Sequence, residues 1–346
     1  MAEINSSNTK WIALDAMGGD FAPAEIVKGA LIAASNGVHV ILVGDETVIR
    51  KELGNAGGEN LKILNAPQYI EMGDHPVRAL KQKPDNSLTR AFEITRDGQA
   101  SVILSAGNSG AVMIASKWVL GEIPGIFRPA IAVPVPTPTG AAVLIDAGVS
   151  TDCSPENLFQ FGLMGHIYAK HILNIKSPRV ALLNIGEEKS KGNIVTQKAY
   201  EFLSESGLNF IGNIEGDEIF LDKADVIACD GFVGNIALKI LEGTARGFMN
   251  VFKQSVTTGG VLDKIGAMLL TGTIRAMKRK MDWHEYGGAL IMGIKGNVII
   301  THGKSNASSI ANALRFADKI AETDLANIIT QEIASNTKKS PSANGA

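Results

Sequence analysis

Short aliphatic runs recur along the chain, each ending in glycine, aspartate or asparagine before a longer stretch with apolar residues at helical spacing. From Trp11 this pattern predicts strand WIALDA, the Gly-rich turn MGGDFAP, a helix from Ala24 to Asn36, strand VHVILVG, a helix from Asp45 to Leu53 and strand LKILNA. Pro23 suits a first helical turn, where its missing N–H would be unpaired anyway, and Gly37 suits a C-cap. A helix from Ser87 to Arg96, strand SVILSAG, turn GNSG and a helix through Val119 come next. AIAVPVPTPTG and AAVLIDAG read as a strand pair joined by a turn, a point where direction within the sheet can switch. The remaining order is a helix from Pro155 to Leu173, strand RVALLNIG, a helix from Asn193 to Ser206, strands NFIGNI and DVIACDG, a long helical stretch from Val233 to about Met281, strands ALIMGI and NVIITHG, and a helix from Ser305 to about Ala334. Such alternation implies an α/β fold with a mostly parallel sheet and crossover helices. No Pro/Ser-rich linker divides residues 11–334, which read as one α/β/α domain between polar, disordered tails at 1–10 and 335–346.

Six strand-to-turn junctions (LDAMGGD, LSAGNSG, IDAGVS, LNIGEE, ACDGFVG, THGKSN) fall at the carboxyl ends of parallel-type strands, where open α/β sheets place their ligand crevice. One Gly-rich turn is ordinary in such a fold; six with anion-ready groups imply a shared cleft. The richest are NIGEEKSKGN, Asn184 to Asn193, and ADVIACDGFVGN, Ala224 to Asn235. Backbone N–H groups at a strand-turn-helix junction face any anion bound there, so a phosphate site is the leading reading. Lys189 and Lys191 offer ammonium groups, Asn235 an amide, and Gly231 and Gly234 a flexible backbone. Glu187, Glu188 and Asp230 either orient those lysines or stand as helix N-terminal residues favoured by the dipole. No GxGxxG follows the first strand and no GxxxxGK[ST] occurs, so neither a dinucleotide nor an ATP loop is indicated.

Composition narrows the class. The 346 residues are 45% hydrophobic and 20% charged, enough to bury a large core. A net charge of -2 lacks the basic field that nucleic-acid binding needs. Two distant cysteines, Cys153 and Cys229, and six scattered histidines suggest neither a disulfide framework nor a metal centre, and no cofactor is called for. With no signal peptide, the expected compartment is the cytoplasm. The longest uncharged runs fail as membrane spans, since one carries Gly, Asn and Ser and the other four prolines.

Gly259 to Trp283 stands apart. Lys264, Thr271, Arg275, Lys278 and Asp282 fall on one side of a helix, and Val261, Ile265, Met268, Leu269 and Ala276 on the other. Gly266 and Gly272 weaken a continuous helix, so a helical hairpin over about 245–283 with an apolar tip is equally compatible. An ordinary core or dimer helix fits the periodicity, as does a membrane-surface contact or a dock for an acidic partner, with Trp283 at the interface and Lys278, Arg279 and Lys280 facing anionic groups.

Taken in order, DAMGGDFAP (Asp15–Pro23), SAGNSGA (Ser105–Ala111), RPAIAVPVPT (Arg128–Thr137), LLNIGEEKSKGN (Leu182–Asn193), NFIGNIEG (Asn209–Gly216), ADVIACDGFVGNIALK (Ala224–Lys239), EYGGA (Glu285–Ala289) and THGKSN (Thr301–Asn306) resemble the bacterial phosphate acyltransferase family. The resemblance implies a Rossmann-like, phosphotransacetylase-like α/β/α fold with a protruding amphipathic hairpin. It implies transfer of a fatty acyl group from acyl carrier protein to inorganic phosphate, whose product feeds the membrane glycerol-3-phosphate acyltransferase of phospholipid synthesis. It also implies a homodimer held peripherally on the phospholipid surface, with Ile265, Met268, Leu269 and Leu270 as contacts. Lys191 and Asn235 match the catalytic positions. Asp15, Gly18, Gly19, Asn108, Ser109, Gly110, Gly231, Gly234 and His302 are the expected phosphate and substrate contacts. The chain departs from the family pattern at Ser150, at Asn86 and Ser87, and at Leu290. Rival readings are a coenzyme A-dependent phosphotransacetylase, a decarboxylating dehydrogenase, and a non-catalytic scaffold bridging carrier and membrane. An acyl-enzyme on Cys229 is a minor mechanistic alternative.

Overall fold

The computed structural model describes residues 10–275 and 287–336. Ala276, Lys278, Arg279, Lys280, Asp282, Trp283 and Glu285 lie outside the described residues, as do 1–9 and 337–346.

The aliphatic runs form eleven strands of one continuous sheet: β1 (Ile12–Asp15), β2 (Val40–Gly44), β3 (Leu61–Asn65), β4 (Val102–Ser105), β5 (Ala130–Pro136), β6 (Ala141–Ile145), β7 (Val180–Leu183), β8 (Phe210–Ile214), β9 (Val226–Ala228), β10 (Ala289–Met292) and β11 (Asn297–Ile300). Their order across the sheet is β3-β2-β1-β4-β11-β10-β5-β6-β9-β7-β8. Strands β1, β4, β7 and β9 are buried along their whole length, which is why they read as unbroken apolar runs. Helices cover both faces. On one face α6 (Pro155–His171) carries Phe161 and Tyr168, both fully buried, and Gly165 lets it settle against Val226 of β9. Burying the Phe161 ring contributes about 1.5–3 kcal/mol. On the same face α1 (Ala24–Ala34) packs against α10 (Ala307–Ala321), and Glu25 accepts from the Ala307 N–H at 2.8 Å.

Two parallel sets, β3-β2-β1-β4-β11 and β6-β9-β7-β8, are joined through β10 and β5. The pairings β11/β10, β10/β5 and β5/β6 are all antiparallel. Three reversals leave the sets pointing opposite ways. The direction switch expected at the Pro-rich strand pair is thus present, but the six junctions divide between two edges of the sheet. The strand ends alone do not converge on one cleft.

Several boundaries differ from expectation. Helix α3 (Pro76–Gln82) was not anticipated, since it is too short for a clear apolar period and buries only Ala79 and Leu80. The long stretch divides at Gly259 and Gly260 into α8 (Gly231–Thr258) and α9 (Val261–Leu269). The closing helix breaks after Glu322 into α10 and α11 (Leu325–Asn336), where the exposed Asp324 side chain accepts from the Asn327 N–H and caps the second segment.

Candidate active site

At the edge formed by β6, β9 and β7, each junction is built around a side chain that folds back on its own turn. Asp146, directly after β6, is fully buried, and its carboxylate accepts from Ile131 N (2.9 Å), Gly148 N (3.1 Å), Val149 N (3.1 and 3.2 Å) and Ser150 N (2.7 Å). Burial raises its pKa, opposed by those same N–H donors. Helix α8 begins over this turn. Asp230 accepts from Val233 N at 2.8 Å and is therefore an N-cap, the bland alternative for that carboxylate. A Cβ on Gly231 would lie 2.7 Å from Asp146 Oδ2, and one on Gly234 would overlap the Asp146 carbonyl oxygen. Glycine at both positions lets the helix start in backbone contact with the β6 turn. That contact places Asn235 over Gly148, exposed, its side chain making no hydrogen bond to any described residue.

Two strands away, the loop after β7 presents Lys191. Asn184 Nδ2 donates to Lys191 O (3.2 Å), Lys191 N donates to Glu188 O (3.0 Å), and Gln197 of α7 (Ile194–Glu205) donates to Ser190 O (2.6 Å). Glu187 pairs with Lys223 at 2.9 Å, and Lys189 leans to Glu201 at 3.7 Å. The Lys191 side chain is 46% exposed and its ammonium lies 3.8 Å from Glu188 Oε2, a loose pair that leaves it open to an anion.

The opposite edge carries the remaining candidates. Asp15 is buried and accepts from Ser87 Oγ (2.6 Å), Ser105 Oγ (2.8 Å) and Met17 N (3.3 Å). Burial raises its pKa against the pull of those bonds. Gly18 and Gly107 press on the same carboxylate. Asp15 therefore organises its turn from beneath rather than reaching outward. Asn108, expected to donate to phosphate, is committed elsewhere: Oδ1 caps α5 (Ser109–Ala115) through Ala111 N, and Nδ2 donates to Met72 O and Asp74 O, both at 3.0 Å. Ser109 and Gly110 stay exposed at that helix start, and Gly19 lies against Ala106 and Gly303. His302 Nδ1 accepts from Lys304 N at 3.0 Å, and burial, then Lys239, push its pKa down. Lys239 and Glu242, whose charges act on His302 in opposite directions, lie one and two turns beyond Asn235 on α8.

Three residues here were not picked out as site residues from sequence. Asp146 had a signal, since IDAG after a buried strand repeats the LDAMG of Asp15. Ser87 had only its place in the family pattern, because its partner lies 72 residues away. Arg128 sits just before β5, next to the Asp146 turn by register; it is exposed, enters no ion pair among the described residues, and its charge acts on the Cys153 thiol, which burial pushes up to about 11. Cys229 is buried with its Sγ 3.5 Å from Asp146 O, and burial raises its pKa well above the usual thiol value, so an attacking thiolate is disfavoured. At the positions departing from the family pattern, Asn86 caps the helix α4 (Ser87–Arg96) through Thr89 N and Leu290 packs in the core. Among the described residues, no three His, Cys, Asp or Glu side chains gather as a metal site.

The fold and this edge define a class of α/β protein with anion-ready turns at its strand ends. Solved structures of similar fold include the EutD phosphotransacetylase from Staphylococcus aureus (TM-score 0.61, 14% identity, 90% of this chain and 94% of that one) and a phosphotransacetylase from Streptococcus pyogenes (TM-score 0.61, 16% identity, 91% and 94%). The family model for "Fatty acid synthesis protein" matches residues 11–328. Phosphate acyltransferases of Pelotomaculum thermopropionicum (47% identical, 96% of this chain and 98% of the relative) and Desulforamulus reducens (45%, 93% and 97%) are similar over nearly the whole length. The chain belongs to the phosphate acyltransferase family and is an enzyme that transfers an acyl group to phosphate.

Proposed function

We propose that the acyl donor is a long-chain acyl thioester of acyl carrier protein, and that the acyl phosphate product and free carrier serve phospholipid synthesis. The observation that carries the site assignment is the placement of Lys191 and Asn235 on one sheet edge, each exposed and without a strong internal partner, beside turns whose glycines bring backbone close. In the reaction, a phosphate oxygen forms a bond to the thioester carbonyl carbon and the carbonyl oxygen gains negative charge. The C–S bond then breaks, and the departing thiolate takes up a proton from solvent. Lys191 neutralises the phosphate and the oxyanion, and Asn235 orients them by hydrogen bonding; donors fixed in advance stabilise such charge without reorganising. Phosphate is itself a competent nucleophile, so the step needs no enzyme nucleophile.

The carrier, a second copy of the chain and a phospholipid surface are the proposed partners. Exposure of Met268 (69%), Leu269 (78%) and Leu270 (53%), with Ile265 beside them, supports the surface role of α9. No helix of the described residues is long and apolar enough to cross a membrane. Incubation with palmitoyl carrier protein and phosphate, followed by hydroxylamine trapping, tests the donor: palmitoyl hydroxamate must form in a phosphate-dependent way. Equal or faster turnover of palmitoyl-coenzyme A would reassign the donor, and carrier binding without product under any condition would point to a scaffold.

A further inference from the structure

The Lys191 loop is gripped from beneath by the outermost strand. Asn213 on β8 is 6% exposed, and its Nδ2 donates to the Glu188 carbonyl at 3.0 Å, the same carbonyl that accepts the Lys191 N–H at 3.0 Å. One oxygen thus ties the strand to the turn that presents the ammonium. A bulge aims this amide. The β7/β8 register shifts so that Phe210 pairs with Val180 and Gly212 with Ala181, leaving Ile211 as the extra residue and Gly212 at φ +101°. Because strand side chains alternate, one inserted residue inverts the faces that follow. Asn213 therefore pairs with Leu182, and Ile214 pairs with Leu183 in an apolar cluster that Asn213 would otherwise enter.

Asn213 Oδ1 is buried and accepts no hydrogen bond from any described residue. An unpaired buried carbonyl opposes folding, and an apolar side chain of this size would avoid that cost. Stability alone gives no reason for an asparagine here; its one bond goes to the Lys191 turn. We propose that Asn213 is a positioning residue for Lys191, fixing the Glu188 carbonyl so that the ammonium is held where the phosphate binds. This rests on the assignment of Lys191 above.

The test is a double-mutant cycle with Asn213→Leu and Lys191→Ala, reading kcat and KM for acyl phosphate formation, together with urea unfolding. Expected results are an unfolding midpoint unchanged or raised, a kcat lowered about 10-fold by the misplaced ammonium, and disappearance of that loss in the Lys191→Ala background. A kcat within twofold of wild type, or an equal loss with and without Lys191, overturns the proposal. If Lys191→Ala alone keeps more than a third of wild-type activity, the assignment of Lys191 has failed instead, and the positioning role falls with it. Should Asn213→Leu not fold, Asn213→Ala takes its place in the same cycle.

Discussion

Gly234→Ala tests the close approach at the start of α8, because two known effects oppose each other there. Alanine in place of glycine within a helix ordinarily gains about 1 kcal/mol. At Gly234 the new methyl would overlap the backbone carbonyl oxygen of Asp146 and come within 2.9 Å of Cys229 Sγ. Neither the carbonyl, fixed beside the β6–β9 ladder, nor the buried sulfur can swing aside, so α8 has to lift by on the order of 1 Å to restore contact distances. Overpacking of this kind typically costs about 1–3 kcal/mol, and a rigid backbone obstacle places it at the upper end. The steric term wins, leaving a net loss of about 2 kcal/mol and a melting temperature lower by roughly 2–5 °C. Asn235 is the next residue and moves with the helix; a displacement of about 1 Å at a reacting centre costs about 10²-fold in rate. Gly243→Ala on the same helix is the control, since its Cβ meets nothing within 4 Å and reports only the propensity gain. Thermal unfolding and hydroxylamine-trapped product formation provide the two readouts. A Gly234→Ala enzyme that is stabilised like Gly243→Ala, and turns over within twofold of wild type, would refute the packing argument.

Three further predictions concern separate parts of the molecule. Lys191→Ala should lower turnover by about 10²–10³-fold with circular dichroism unchanged, and retention of more than a third of wild-type activity removes Lys191 from the chemistry. Burial holds the Asp15 pKa above its unfolded value, so this group's contribution to stability is full below about pH 4 and is lost as pH rises through the folded value. Asp15→Asn should therefore show a flatter stability profile than wild type in urea titrations from pH 4 to 7, and parallel profiles would contradict this sign. Leu269→Glu, at a side chain 78% exposed on α9, should release the protein from anionic phospholipid vesicles while leaving the KM for the acyl carrier unchanged; undiminished vesicle sedimentation would deprive that surface of its anchor.

Local features of the chain were legible because their causes are local. Strands β1, β4, β7 and β9 are buried on both faces and so appear as uninterrupted aliphatic runs, while Asn193 and Asp230 mark helix starts by capping N–H groups three residues ahead. The ordered motifs around Lys191 and Asn235 were enough to find the family. Strand order was not legible, since pairing depends on which apolar faces meet after long crossovers. Only the folded sheet shows that three antiparallel pairings turn the second set of junctions to the other edge. Tertiary contact likewise decided that Asp15 is held by a serine 72 positions later, that Asp146 is buried beneath four N–H donors, and that a bulge in β8 turns Asn213 under the Lys191 loop. A residue's type reveals what bonds it can make, but burial and neighbours brought together from distant segments select which of them it does make.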